Sequence, residues 1–561
     1  MPRRNMLPAS AACVALAFQL GLGVVAANAQ SAVALAGNVS SGAEPAMEGV
    51  VVSAKRDGST ITVSVVTDEA GRYAFPANRL APGQYAISIR AAGYDLDAPK
   101  AARVEAGQAV IADLKLKPTH NLAAQLTNAE WLMSMPGSQE QKAFLTTCTN
   151  CHRLERIVRS MHDADEFLQV FARMDVYYPG STPLKPQRLV GDKRNDGANG
   201  AMRREMGNRV TAEWLANINL SRRETWNYPL IVMPRVSGKS TRVIITEYDL
   251  PNPVIQPHDV MLDREGTVWY SDFGQLLLGK MDAKTGRVTQ YPIPETKKGF
   301  PVGTLNLELD GEDHPWVGVM YQNAVARFDK KTETFRTFSI PKEWDTEAGQ
   351  LAHLALRGTP ADGKVWIKNN DGNNIYRLDP VSDMFENLGS FKDPRNGRRI
   401  GAYGIHSDAQ NNLYLLDFAA GNIVRIDAGT GNPTVYMTPT ANSRPRRGRV
   451  DAEGRLWFAE YQGNAIGMFD PRTEKFSEWK VPTPWSSPYD ATGGRNGEAW
   501  TAGMSTDRVV RLNIKTGEVT EYPLPRPTNI RRVHIDDAKS PGTLWIGSNH
   551  GASIVKVEPL D

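Results

Sequence analysis

The chain is poor in cysteine, with three in 561 residues, at positions 13, 148 and 151. So few exclude a disulfide-stapled scaffold, and the absence of a second pair beside 148 and 151 excludes a four-cysteine zinc site. Charge of one sign is also scarce. The formal net charge is only +3, which leaves no electrostatic case for nucleic acid as a partner. Past the N-terminus there is no apolar run long enough to span a bilayer. Turn formers are abundant instead, with 48 Gly and 36 Pro, and they point to a β-rich body. The length is too great for one core, so several domains are expected.

The first 29 residues read as a signal peptide. Arg3 and Arg4 form a positive n-region, an apolar run covers 11–26, and Ala27-Asn28-Ala29 is a small-residue cleavage site. The mature chain is then expected to start at Gln30, near neutral charge, in the periplasm, with no integral membrane segment.

Cys13 leaves with that peptide, so both remaining cysteines lie in TTCTNCHRLE, as Cys148-x-x-Cys151-His152. Three chemistries use this spacing. A zinc site needs further ligands nearby, which are missing. A thioredoxin-like pair should follow a strand in a βαβ unit, whereas the flanks here read as helical. The remaining reading is covalent attachment of one haem c, with Cys148 and Cys151 forming thioethers and His152 as proximal iron ligand. Because haem c is attached after export, a Sec-type signal is expected rather than a twin-arginine one.

The surroundings resemble a class I cytochrome c domain, over 119–236. Residues 138–147 read as the helix entering the motif, and 211–220 as the terminal helix, with Thr211 as N-cap and Trp214 and Leu215 on its buried face. The resemblance implies a methionine as sixth ligand shortly before that helix. Met206 is the first candidate, Met202 and Met174 are alternatives, and His162 would give a bis-histidine site. The mixed-charge stretch 191–204 departs from the usual pattern.

Residues 30–118 hold alternating runs such as GVVVSA (49–54) and YAISIRA (85–91) between turn signals. With the turn Asp68-x-x-Gly71-Arg72-Tyr73 they resemble the carboxypeptidase regulatory-like domain. That resemblance implies a transthyretin-like β-sandwich used for docking, carbohydrate binding or spacing.

From 237 to 561 the chain repeats itself. Trp269, Trp316, Trp366, Tyr414, Trp457, Trp500 and Trp545 recur at steps of 47, 50, 48, 43, 43 and 45 residues. Each unit carries about four short strands, the content of one propeller blade. Seven units predict seven blades, with 241–250 supplying the outer strand that the last unit lacks. The fold class expected is therefore mainly β and multidomain: a transthyretin-like sandwich, a small all-α cytochrome c domain and a seven-bladed propeller.

LWFAEYQGNAIGMFDPRTEKFSEW (456–479) is similar to a blade of the virginiamycin B lyase (streptogramin lyase) family. The resemblance implies β-elimination by histidines, a glutamate and magnesium. Glu460 stands where a family glutamate does, but Arg446 and Tyr489 replace histidines and Met504 replaces a second glutamate, so magnesium is not expected. Matched positions in other blades are His258, His353, Tyr403 and Arg531. With Arg446, Glu460 and Tyr489 they would ring one funnel suited to an anionic or polyhydroxy ligand.

The function expected is periplasmic electron transfer, with the propeller binding a small-molecule substrate or a redox partner. Two alternatives are a propeller lyase with an accessory haem and a redox-sensing binding module.

Overall fold

Six of the aromatic-centred repeats fold as four-stranded antiparallel sheets, and the seventh gives three strands that an earlier strand completes, so that seven blades form the propeller. A computed structural model describes residues 32–191, 204–221, 223–356 and 361–561. The signal-peptide reading of 1–29 and the candidate Met202 lie outside the described residues. Blades 1 to 6 span 257–292, 304–339, 351–389, 405–437, 445–480 and 488–523. The second strand of each is buried throughout, as in Leu456–Glu460, because both of its faces pack on neighbouring blades. In blades 1, 2 and 5 its Trp is tied down by an aspartate six residues earlier. The Nε1–H groups of Trp269, Trp316 and Trp457 donate to Asp263, Asp310 and Asp451 at 2.9, 3.0 and 2.8 Å. Asp263 also caps its own turn through the N–H groups of Glu265 and Thr267.

Blade 7 is built from Ile530–Asp536, Thr543–Ser548 and Ser553–Pro559, and is closed by Val243–Asp249. This is the closure predicted from the repeat count. The innermost strand carries a bulge in blades 1, 2, 3, 5, 6 and 7. A bulge sets two residues against one and re-aims their side chains. In blades 1, 5, 6 and 7 the consequence is that two successive side chains reach inward rather than one.

Residues 33–118 form the expected sandwich of two sheets around Leu35, Val39, Val52, Phe75 and Leu114. It is not a detached spacer. Strand Ile61–Val66 pairs antiparallel with Val243–Asp249, with Ile245 opposite Ser64. Blade 7 and one sandwich sheet are thus a single eight-stranded sheet, and two edges that would otherwise attract foreign strands are removed at once. Lys55–Asp249, Arg79–Glu558 and Arg90–Asp507 ion pairs flank the join. Gly49 lets the sandwich approach the chain entering the propeller: its φ is +75°, and a Cβ there would stand 2.1 Å from the Val236 carbonyl oxygen.

Between sandwich and propeller lie the helices Asn128–Ser134, Gln139–Cys148, Ala164–Asp175 and Arg209–Ile218, with two shorter turns. Thr127, Ser138 and Asp163 close capping boxes at the first three. The expected N-cap at Thr211 is corrected. Asn208 caps the last helix by accepting from the Thr211 N–H at 3.0 Å, so Thr211 lies inside the first turn and is buried. Trp214 and Leu215 do face the core, with Trp131, Phe144, Leu145 and Ile218. Among the described residues no helix is long and apolar enough to cross a membrane.

Candidate functional site

Helix Gln139–Cys148 ends on the first motif cysteine, and the next turn is tightened by a Cys151 N–H to Cys148 C=O bond of 3.3 Å. Cys148, Cys151 and His152 consequently line one cavity of about 610 Å³, together with Phe144, Phe167, Phe171, Tyr178 and Leu215. Burial pushes the His152 imidazole below the ordinary histidine range, which favours the neutral ring. Its Nδ1 lies 3.0 Å from the Arg153 carbonyl oxygen. With Nδ1–H donating there, Nε2 keeps its lone pair for a ligand.

Of the sixth-ligand candidates, Met174 and His162 line the cavity. Met206 packs half-buried against the helical core instead, and its neighbour Gly207 reaches the cavity wall. Met174 is carried on the amphipathic helix Ala164–Asp175. Arg156, Arg173 and Arg204 stand at the rim, where Arg204 pairs with Asp175 at 3.2 Å.

The same turn is seated on the propeller. The Thr149 carbonyl accepts from Asn529 Nδ2 at 3.0 Å, and the Asn150 carbonyl accepts from Arg531 Nη2 at 2.7 Å and His550 Nε2 at 3.1 Å. Tyr461 reaches the Thr146 carbonyl at 3.3 Å. A second loop docks on blade 1 through Tyr178 Oη to Phe273 O at 2.8 Å and Gln256 Nε2 to Gly180 O at 2.7 Å. Gly180 is required by this approach, because a Cβ would stand 2.3 Å from the Phe273 carbonyl oxygen. The motif turn therefore roofs the channel mouth.

Six of the seven predicted funnel residues meet beneath that roof. Tyr403 and Tyr489 touch hydroxyl to hydroxyl. The Arg446 guanidinium lies 3.9 Å from the Tyr489 ring centre, 4.4 Å from Tyr461 and 4.7 Å from Tyr403. Arg531 lies 5.4 Å from Tyr489, and the rings of His258 and His353 pack on Tyr489 and Tyr403 at 6.1 and 5.0 Å. The funnel is covered: His258, His353, Arg446, Tyr489 and Arg531 are all 2% exposed or less. The helical unit sits over them, and Tyr403 is only partly accessible. Glu460 does not join the cluster. It lies against Glu478, and burial together with that neighbour pushes its carboxyl up to about 9.

A second set of residues, one position further along each bulged strand, was missed. Asp259 accepts a bidentate pair from Arg447 at 2.6 and 2.8 Å, and also from Arg532 and from His258 Nδ1 at 2.7 Å. Arg532 reaches Glu308 at 2.7 Å. Burial alone would raise the Asp259 carboxyl, but the two guanidinium groups outweigh it and hold it well below the carboxylate range. Among the described residues Asp490 has no such bidentate partner, and burial pushes it up to about 7. The visible signal was the doublets His-Asp, Arg-Arg, Tyr-Asp and Arg-Arg at matched register.

The fold and its channel define a propeller-bearing multidomain protein. Residues 34–117 match the carboxypeptidase regulatory-like domain, and residues 390–560 match the virginiamycin B lyase family. Among solved structures the chain is similar to virginiamycin B lyase from Staphylococcus aureus, at 21% identity and a TM-score of 0.48, covering 56% of this chain and 99% of that one. It is likewise similar to a streptogramin B lyase structure, at 21% identity and 0.48, covering 58% and 100%. No curated protein sequence matches the chain.

Proposed function

We propose that the chain is an exported c-type cytochrome that transfers electrons, with the propeller as the body that holds the haem unit and meets its substrate or partner. The observation that carries this reading is the donor set of the cavity. Two cysteines and a neutral, carbonyl-oriented histidine stand on one wall of an apolar space of about 610 Å³. The residues fit the group: Cys148 and Cys151 would hold the porphyrin, His152 would bind iron through Nε2, and Met174 or His162 stands on the cavity wall as a sixth ligand. Haem c, when bound, supplies a one-electron couple.

The protein's own contribution is exclusion of water and orientation. Phe144, Phe167, Phe171 and Leu215 line the space with apolar surface. Arg531, His550 and Asn529 hold the carbonyls of the motif turn. Rim arginines Arg156 and Arg173 add positive charge beside the cavity, which favours a reduced, more negative centre. A lyase is the weaker reading, because Arg446 and Tyr489 stand where the resemblance calls for histidines and both are covered.

Mass spectrometry of the denatured mature chain, produced with haem c maturation, tests the proposal. One covalent haem is expected, lost on Cys148→Ser with Cys151→Ser. A haem-free chain from the same host would overturn it.

A further inference from the structure

We propose that the roofed end of the propeller channel is a binding site for a small monovalent anion, held by the Arg446 guanidinium with a tyrosine hydroxyl and the His353 imidazole N–H. The first ground is charge. Arg446, Arg447, Arg531 and Arg532 are all buried at this end. Asp259 and Glu308 serve Arg447 and Arg532. Arg531 is bonded to the Asn150 carbonyl and the Asn529 amide, and among the described residues no carboxylate pairs with it or with Arg446. Lys368, paired across the strands with His353, donates to the Asn370 amide oxygen at 2.6 Å, and burial lowers it to about 7, so it adds little fixed charge. Four guanidinium groups thus share two ion-paired carboxylates.

Aromatic rings do not close that deficit. Cation–π contacts soften the desolvation of a buried guanidinium but leave its net charge uncompensated. Arg446 leans on Tyr403, Phe418, Tyr461 and Tyr489, within 5.4 Å of each ring centre. Those ring faces offer partial negative charge and no counter-ion.

The second ground is hydrogen bonding. Among the described residues, Arg446 Nε and Nη1 and both ring nitrogens of His353 are buried with no partner. Buried donors are otherwise almost always satisfied. The touching phenols use one hydroxyl proton between them and leave the other to donate. His258 adds no donor, because its Nδ1–H goes to Asp259. The inventory is therefore rich in donors and positive charge, suited to a halide or a short carboxylate such as formate. An internal counter-ion, the Tyr489 phenolate, is the rival explanation.

The full mature chain should be purified and crystallised in bromide, since a covered site exchanges slowly, and diffraction recorded at the bromine absorption edge. An anomalous peak beside Arg446 and His353 is expected, absent in Arg446→Gln. Its displacement by formate would assign the site to carboxylates, and its persistence would assign it to halides. Bromide confined to the surface, with water alone beside Arg446, would overturn the proposal and leave Tyr489 as the counter-ion. Should Arg446→Gln not fold, the wild-type map decides alone.

Discussion

The doublets Arg446-Arg447 and Arg531-Arg532 place four guanidinium groups in one channel, yet their two members are handled differently. Arg447 and Arg532 converge on Asp259 in short ion pairs. Arg446 and Arg531, one residue earlier, sit among aromatic rings and carbonyl groups. Asp259 locks blades 1, 5 and 7 together, and Glu308 ties blade 2 to blade 7. The aromatic-lined pair faces the roof, where Arg531 holds the motif turn. Arg531 is committed to the motif turn without a carboxylate, which leaves Arg446, among the described residues, as the buried cation with neither a carboxylate nor a carbonyl to hold.

The largest effect should come from removing the shared carboxylate. Asp259→Ala leaves Arg447 and Arg532 facing each other and should cost about 3–5 kcal/mol, measured by urea unfolding. Arg447→Met should cost less, about 2 kcal/mol, since Asp259 keeps Arg532 and His258. Arg446→Met, in buffer free of small monovalent anions, should cost under about 1 kcal/mol or stabilise. Equal losses for the two methionine variants would erase the distinction between the pairs.

A pH-dependent effect concerns Glu460, which stands outside both sets. Its folded carboxyl is raised to about 9, so it contributes stability that is full below the unfolded value near 4.3 and lost as pH rises towards 9. Glu460→Gln should therefore gain on the wild type by on the order of 1.4 kcal/mol per pH unit between about 5 and 8. A pH-independent difference between the two would contradict the burial of a protonated carboxyl.

Much of this was legible in the sequence, for physical reasons. Each blade carries its own aromatic and most carry a turn aspartate and a proline stop, so seven blades and the closing strand could be counted. Matched register also brought His258, His353, Tyr403, Arg446, Tyr489 and Arg531 to one place. The ion-paired set escaped because bulges aim a second residue inward, and its partners are far apart in sequence: Asp259 and Arg447 are separated by 188 residues. The join of sandwich to blade 7 uses backbone hydrogen bonds, which leave no side-chain signature. The roof over the channel depends on carbonyl groups of 146–150, which any residue type would present. Met206 was favoured because the cytochrome resemblance implies a methionine shortly before the last helix, whereas the fold sets Met174 on the cavity wall through a helix whose packing the sequence does not reveal.

In the proposed function Cys148, Cys151 and His152 hold a haem in the largely apolar cavity, with a sixth ligand from the chain. The visible spectrum of the mature protein, oxidised and then reduced with and without carbon monoxide, tests it most directly. The account predicts a low-spin, six-coordinate spectrum that carbon monoxide does not shift. A high-spin spectrum that shifts with carbon monoxide, or no haem spectrum at all, would contradict it.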